Sequence, residues 1–137
     1  MIRVALRPEP ENFDERVRKP GQNALAEGKD PLPAYWRRCL KDLWNAYDRT
    51  CAYVGVYIPP VVGGRTVEHY VAKSSDDAVA YEWGNYRLAC QRMNARKGVF
   101  DDLLDPFEIQ NSWFALEFVG LQVLPSPQLS EERREQV

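Results

Sequence analysis

Apolar residues first recur at helical spacing over residues 33–47, where Trp36, Leu40, Leu43, Trp44 and Tyr47 share one face and Arg37, Arg38 and Lys41 lie off it. Pro33 suits the first turn of that helix, where the amide it lacks would have no partner. Upstream, residues 1–31 are rich in charge, Pro and Gly and read as an arm that is ordered by docking on the body. A short helix is predicted over residues 12–18, broken by Pro20-Gly21. Residues 51–57, Cys-Ala-Tyr-Val-Gly-Val-Tyr, are β-branched and aromatic and predict a strand. Pro59-Pro60 and Gly63-Gly64 predict a turn, and residues 65–71 a returning strand. A polar loop follows over residues 73–77, then a helix over 85–95 with Leu88, Ala89 and Met93 for packing and Gly98 as its stop. Residues 113–118 alternate, Val119-Gly120 can turn the chain into 121–124, and Ser130 is a good cap for a short last helix. The pattern is α+β: a strand–strand–loop–helix centre with flanking helices and a C-terminal hairpin.

A length of 137 residues suits one domain, and a hydrophobic fraction of 45% is enough for a core. Its parts read as the arm at 1–31, a helix at 32–50, the centre at 51–98, and a hairpin and tail at 99–137. No stretch is apolar for long enough to span a membrane, and residues 1–10 hold no apolar run typical of a secretory signal, so a cytoplasmic home is expected. Cys39, Cys51 and Cys90 are too few for a disulfide scaffold and read as small buried hydrophobes. The net charge of −2 is uneven: residues 1–60 and 61–100 each carry +2, and residues 101–137 carry −6. A nucleic-acid surface would therefore lie before Phe100.

The single histidine, His69, follows Glu68 at the end of a predicted strand. Downstream stand Asn85 and the run Asn94-Ala95-Arg96-Lys97-Gly98. Taken together, Val67-Glu68-His69, Trp83-Gly84-Asn85 and residues 88–98 resemble the HNH nuclease motif in order and spacing, over residues 51–98. The chemistry suits such residues: a neutral imidazole accepts a proton near pH 7, and carboxylate and amide oxygens are hard ligands for Mg²⁺ or Mn²⁺. The resemblance implies a ββα-metal (His-Me finger) core hydrolysing phosphodiester bonds. His69 would be the general base, Glu68 and Asn94 the metal ligands, and Asn85 the brace of the histidine loop. Asn94 stands where many members have histidine, as in HNN variants similar to the nicking domain of CRISPR effector nucleases. Lys97, one turn beyond Asn94, is a candidate for neutralising the scissile phosphate. Arg87, Arg92 and Arg96 are candidates for backbone phosphate contacts.

Many HNH proteins hold a structural zinc on two Cys-x-x-Cys pairs. The matching positions here read Cys51-Ala52-Tyr53-Val54 and Cys90-Gln91-Arg92-Met93, so Val54 and Met93 replace two thiols. Zinc is therefore not expected, and packing is expected in place of the knuckle, with Cys51 and Cys90 close in the core. Residues 4–18, 81–94 and 100–106 also resemble small stand-alone bacterial HNH proteins, some encoded near phage-defence genes. Asp101, Asp102 and Asp105 read as capping and turn residues before Pro106. DNA is the expected substrate and RNA the alternative, with a partner ATPase or a homodimer left open. The rival readings are a catalytically idle HNH-fold module that grips nucleic acid or a partner, and a structural domain whose histidine is merely buried.

Overall fold

The computed structural model describes residues 3–62, 64–100 and 103–136. The arm is helical well beyond the predicted segment. A π-helical run, Asp14–Arg18, continues into α1, Lys19–Ala26, so Pro20 and Gly21 lie inside a helix and do not end it. Pro20 has no N–H to give the carbonyl of Arg16, one turn back. The Arg38 guanidinium donates to that carbonyl instead, at 3.0 Å. At Gly21 the ring of Tyr81 fills the place of a side chain: a Cβ there would stand 2.1 Å from Tyr81 Cγ. The arm is tied down by Val4 N–H to the Pro106 carbonyl (3.0 Å) and by Trp83 Nε1–H to the Arg7 carbonyl (2.7 Å). Arg18 adds ion pairs to Glu9, Asp14 and Glu82.

The second helix begins as a 3₁₀ turn, Tyr35–Cys39, and continues as α2, Leu40–Ala46, with Leu43 and Trp44 buried as the periodicity requires. Residues 51–57 are not a strand. Gly55 adopts φ +66°, its N–H returns to the Cys51 carbonyl, and only Thr50 and Tyr57 form a bridge across the turn. This folding-back carries Tyr53 into the core and sets the Ala52 N–H on the Leu88 carbonyl at 2.8 Å.

The central sheet pairs β1, Arg65–His69, with β2, Tyr86–Cys90, antiparallel, setting His69 opposite Tyr86 and Arg65 opposite Cys90. Residues 85–95 are therefore not one helix but the end of a loop, a strand and the start of α3, Gln91–Lys97. The physical reason lies in burial: Tyr86, Arg87, Leu88 and Ala89 are all buried, so the segment is covered on both faces and shows no one-sided stripe. Gly98 ends α3 with φ +54°, its N–H on the Asn94 carbonyl at 3.1 Å. Helix α3 packs across β1 and β2. The C-terminal hairpin is present as β3, Phe114–Glu117, and β4, Gln122–Pro125. The Glu117 carboxylate caps its turn by accepting the Val119 and Gly120 N–H groups. Its tip is apolar and open, with Phe118, Val119 and Leu121 all exposed. Ser130 caps α4, Glu131–Gln136, by accepting the Arg133 N–H at 3.3 Å.

Phe13 and Val17 from the arm, Leu43, Trp44 and Tyr47 from α2, Cys51, Tyr53 and Ile58 from the turn, and Val67, Tyr86 and Leu88 from the sheet form one core. The chain is thus a small α+β protein with two small antiparallel sheets. Among the described residues no helix is long and apolar enough to cross a membrane.

Gly21→Ala tests the packing of the arm. In a helix the change normally stabilises by about 1 kcal/mol. Here it drives a methyl into the Tyr81 ring, and overpacking of this kind costs about 1–3 kcal/mol. The expected outcome is a lower thermal midpoint, read by circular dichroism; a raised midpoint would contradict the contact.

Candidate active site

The site is built where β1 ends against α3. Glu68 and Lys97 form an ion pair at 2.8 Å, and their side chains are 2% and 0% exposed. Lys97 Nζ also donates to the carbonyls of His69 (3.1 Å) and Tyr70 (3.0 Å), so its three N–H groups each have an acceptor. The second Glu68 oxygen accepts the Tyr53 hydroxyl. Burial of the Tyr53 phenol, reinforced by Glu68, raises its pKa well above the usual tyrosine range, so it remains a donor.

His69 follows at the end of β1, buried between two aromatic rings that stand nearly perpendicular to it. Trp36 stands at 4.8 Å and 90°, and Tyr86 at 5.2 Å and 80°. Its Nε2 lies 2.9 Å from the Ala80 carbonyl. A carbonyl only accepts, so Nε2 carries the proton and Nδ1 keeps its lone pair. Burial pushes the imidazole down to about 4; Lys73 and Lys97 act in the same direction and the Ala80 bond opposes them. The ring is neutral at pH 7.

Asn85 organises the loop between the strands. Its Oδ1 accepts the Val71 N–H at 2.8 Å, and its Nδ2 donates to the carbonyls of Val71 (3.1 Å) and Val79 (3.2 Å). The loop is pinned at both ends, with Ala80, the partner of His69, one residue beyond the second pin. Asn94 projects from α3 and donates through Nδ2 to Thr66 Oγ1 at 3.0 Å. Glu68, His69, Thr66 and Asn94 line one cleft of about 740 Å³, with Trp36, Arg37, Arg65 and Lys73 on its other walls.

Two expected phosphate-facing residues are used otherwise. Lys97 is sealed in the core with its donors taken, so it presents no ammonium to the cleft. Arg87 is also buried. It makes a two-pronged pair with Asp105 (2.9 and 2.6 Å), donates to the Gly84 carbonyl (2.8 Å), and stacks on Phe107 at 3.5 Å. Arg92 and Arg96 are exposed on α3. Asp105 also accepts the Phe107 N–H and so shapes the turn around Pro106, as expected, while Asp101 and Asp102 lie outside the described residues. Around the knuckle positions Cys51 is buried and Met93 packs against the core, but Val54 is 48% exposed, so packing fills only one side. Burial pushes the Cys39 thiol up to about 12, in keeping with an inert core position.

Among the described residues no three His, Cys, Asp or Glu side chains gather at one point. A hard divalent cation would draw on two protein oxygens, the Glu68 carboxylate and the Asn94 amide. Mg²⁺ accepts such a set because it retains waters and takes phosphate oxygens. The Glu68 carboxylate already meets Lys97 and Tyr53, so an ion would share it with an ammonium. Tyr53, Thr66 and Lys73 join the site from outside the motif residues. Of these, only Lys73 carried a signal, as a cation four residues past the histidine. Searches against protein-family models, curated proteins and solved structures find no match to this chain.

Two outcomes are expected. Lys97→Met strands a buried carboxylate, and loss of one partner of a buried pair costs about 3–5 kcal/mol. Urea unfolding should show that loss, and Glu68→Gln combined with Lys97→Met should recover part of it. The second concerns pH. His69 titrates at about 4 folded against 6.5 in its ordinary state. Between these values the unfolded chain binds more protons, so stability falls as pH drops from 6.5 to about 4. The contribution is on the order of 3 kcal/mol, and His69→Gln should flatten that part of the stability profile.

Proposed function

We propose that the protein is an HNH-type endonuclease with a ββα-metal core, hydrolysing nucleic-acid phosphodiester bonds, with DNA as the expected polymer. One observation carries the reading: a neutral His69, held in the Nε2–H form by the Ala80 carbonyl, shares a cleft with Glu68 and Asn94 while Asn85 braces its loop. The order strand, loop, strand, helix over residues 65–97 fits the motif to which these residues correspond.

In this reading His69 Nδ1 takes the proton from a water. The resulting hydroxide attacks phosphorus, and the bond to the leaving ester oxygen breaks, solvent supplying that oxygen's proton. The His69 imidazole, pushed down to about 4 by burial, is by itself a weak base. A phosphate entering the cleft opposes the field of Lys73 and raises the base towards working pH. Glu68 and Asn94 would hold Mg²⁺ or Mn²⁺, which supplies stabilisation for the charge developing on the phosphate. Trp36 and Tyr86 hold the imidazole plane, and Asn85 fixes the loop so that Ala80 remains its partner.

A second reading, a nucleic-acid-binding module without turnover, is favoured by the double engagement of Glu68. Cleavage of supercoiled plasmid and labelled duplex with Mg²⁺ or Mn²⁺ separates the two. Wild type should cut, EDTA should stop it, and His69→Ala should cut about 10²–10⁴-fold more slowly, the usual contribution of a positioned base. Equal cutting by both proteins would remove His69 as the base, and absence of cutting in both would leave the binding module. Asn85→Ala should lower both rate and stability, because it frees the Val71 and Val79 backbone groups.

A further inference from the structure

The cleft is lined by three cations that lie outside the motif residues. Arg37 comes from the turn before α2, Arg65 from the start of β1, and Lys73 from the loop after His69. Among the described residues none of the three has a carboxylate within ion-pair distance. Arg7, Arg16, Arg18, Lys19, Lys29, Arg87 and Lys97 do, whereas Arg92 and Arg96 share the lack, so it is position in the cleft that sets the three apart. The one acid among the described residues that line the cleft, Glu68, is matched by Lys97. The cleft is thus strongly positive in a chain whose net charge is −2.

Two of these cations are also held in place. Lys73 Nζ lies over the Trp36 ring at 4.8 Å, and the Arg65 guanidinium over the Trp44 ring at 4.8 Å. An aromatic face orients a cation without neutralising it, so the charge remains available to an anion. Arg92 and Arg96 differ: neither lines this cleft, and Arg92 borders a smaller hollow that adjoins it at Gly64 and Gln91.

We propose that Arg37, Arg65 and Lys73 form a phosphate track across the cleft, holding a nucleic-acid backbone on the α2 side of His69 and away from the exposed face of α3. The track takes its ligand class from the nuclease reading, but its charge and geometry are independent of turnover. Lys73, four residues past the imidazole, sits over the Trp36 ring, which itself packs against His69. It takes the place beside the reacting phosphate that Lys97 cannot fill.

The test is the binding of a fluorescein-labelled DNA duplex to the full chain, by fluorescence anisotropy in EDTA over a salt series. Each lost phosphate contact lowers the slope of log affinity against log salt by about 0.9. Arg37→Gln, Arg65→Gln and Lys73→Gln should each reduce the slope by about that amount, and the triple variant by nearly three times as much. Arg65→Lys and Lys73→Arg should keep the wild-type slope. Arg92→Gln and Arg96→Gln should leave it unchanged, and thermal melts should show all variants folded. A wild-type slope in the folded triple variant, a slope carried by Arg92 and Arg96, or wild-type binding indifferent to salt would each overturn the track. The two ideas fail separately. Cutting by wild type with an unchanged slope in the triple variant removes the track and spares the nuclease; slope loss without cutting in any variant removes the nuclease and spares the track.

Discussion

A charge pair buried out of water governs the centre of this fold. Lys97 and Glu68 meet across the interface of α3 and β1, and the same ammonium takes the carbonyls of His69 and Tyr70. Those carbonyls belong to the point where β1 stops and the loop begins. One cation therefore fixes the tilt of a helix, the end of a strand and the exit of a loop. Desolvating such a pair is expensive, and only satisfied hydrogen bonds on every side make it tolerable. Here they are satisfied: three acceptors surround Nζ, and Tyr53 completes the carboxylate. The turn at residues 51–57 is then intelligible as the device that delivers the Tyr53 hydroxyl to Glu68.

A second layer, also buried, rests on that centre. Asn85 spans the loop with three hydrogen bonds, and the Ala80 carbonyl it helps to position decides which nitrogen of His69 bears hydrogen. The imidazole state is thereby fixed by backbone and amide geometry, with no carboxylate behind it. This differs from sites where an acid orients the histidine, and it leaves burial as the largest influence on the ring, holding its pKa low.

The candidate site was legible in residue types to the extent that local chemistry is local. His69, Asn85 and Asn94 stand at recognisable spacing, and Gly98 marks the helix end at the right place. The partner of β1 was not legible. Residues 51–57 have the composition of a strand and form a turn, because Gly55 at φ +66° reverses them. Residues 86–90 carry Arg87 in mid-strand, and that charge makes sense only with Asp105, 18 residues on, against it. Likewise the roles of Lys97 and Lys73 depend on burial, which spacing alone does not reveal: one lysine turns inward to an acid and the other lies open on a tryptophan. The C-terminal hairpin was legible because alternation and a tight turn are local signals.

The rings around Gly21 have a mechanical consequence. Tyr81 lies directly on that glycine, Tyr81 meets Trp36 at 5.8 Å, and Trp36 meets His69 at 4.8 Å. The rings form an unbroken column from the N-terminal arm to the imidazole, and close-packed interiors pass displacement along rather than absorb it. The arm is therefore a backstop of the cleft: the first helix seats Tyr81, Tyr81 seats Trp36, and the imidazole rests against Trp36.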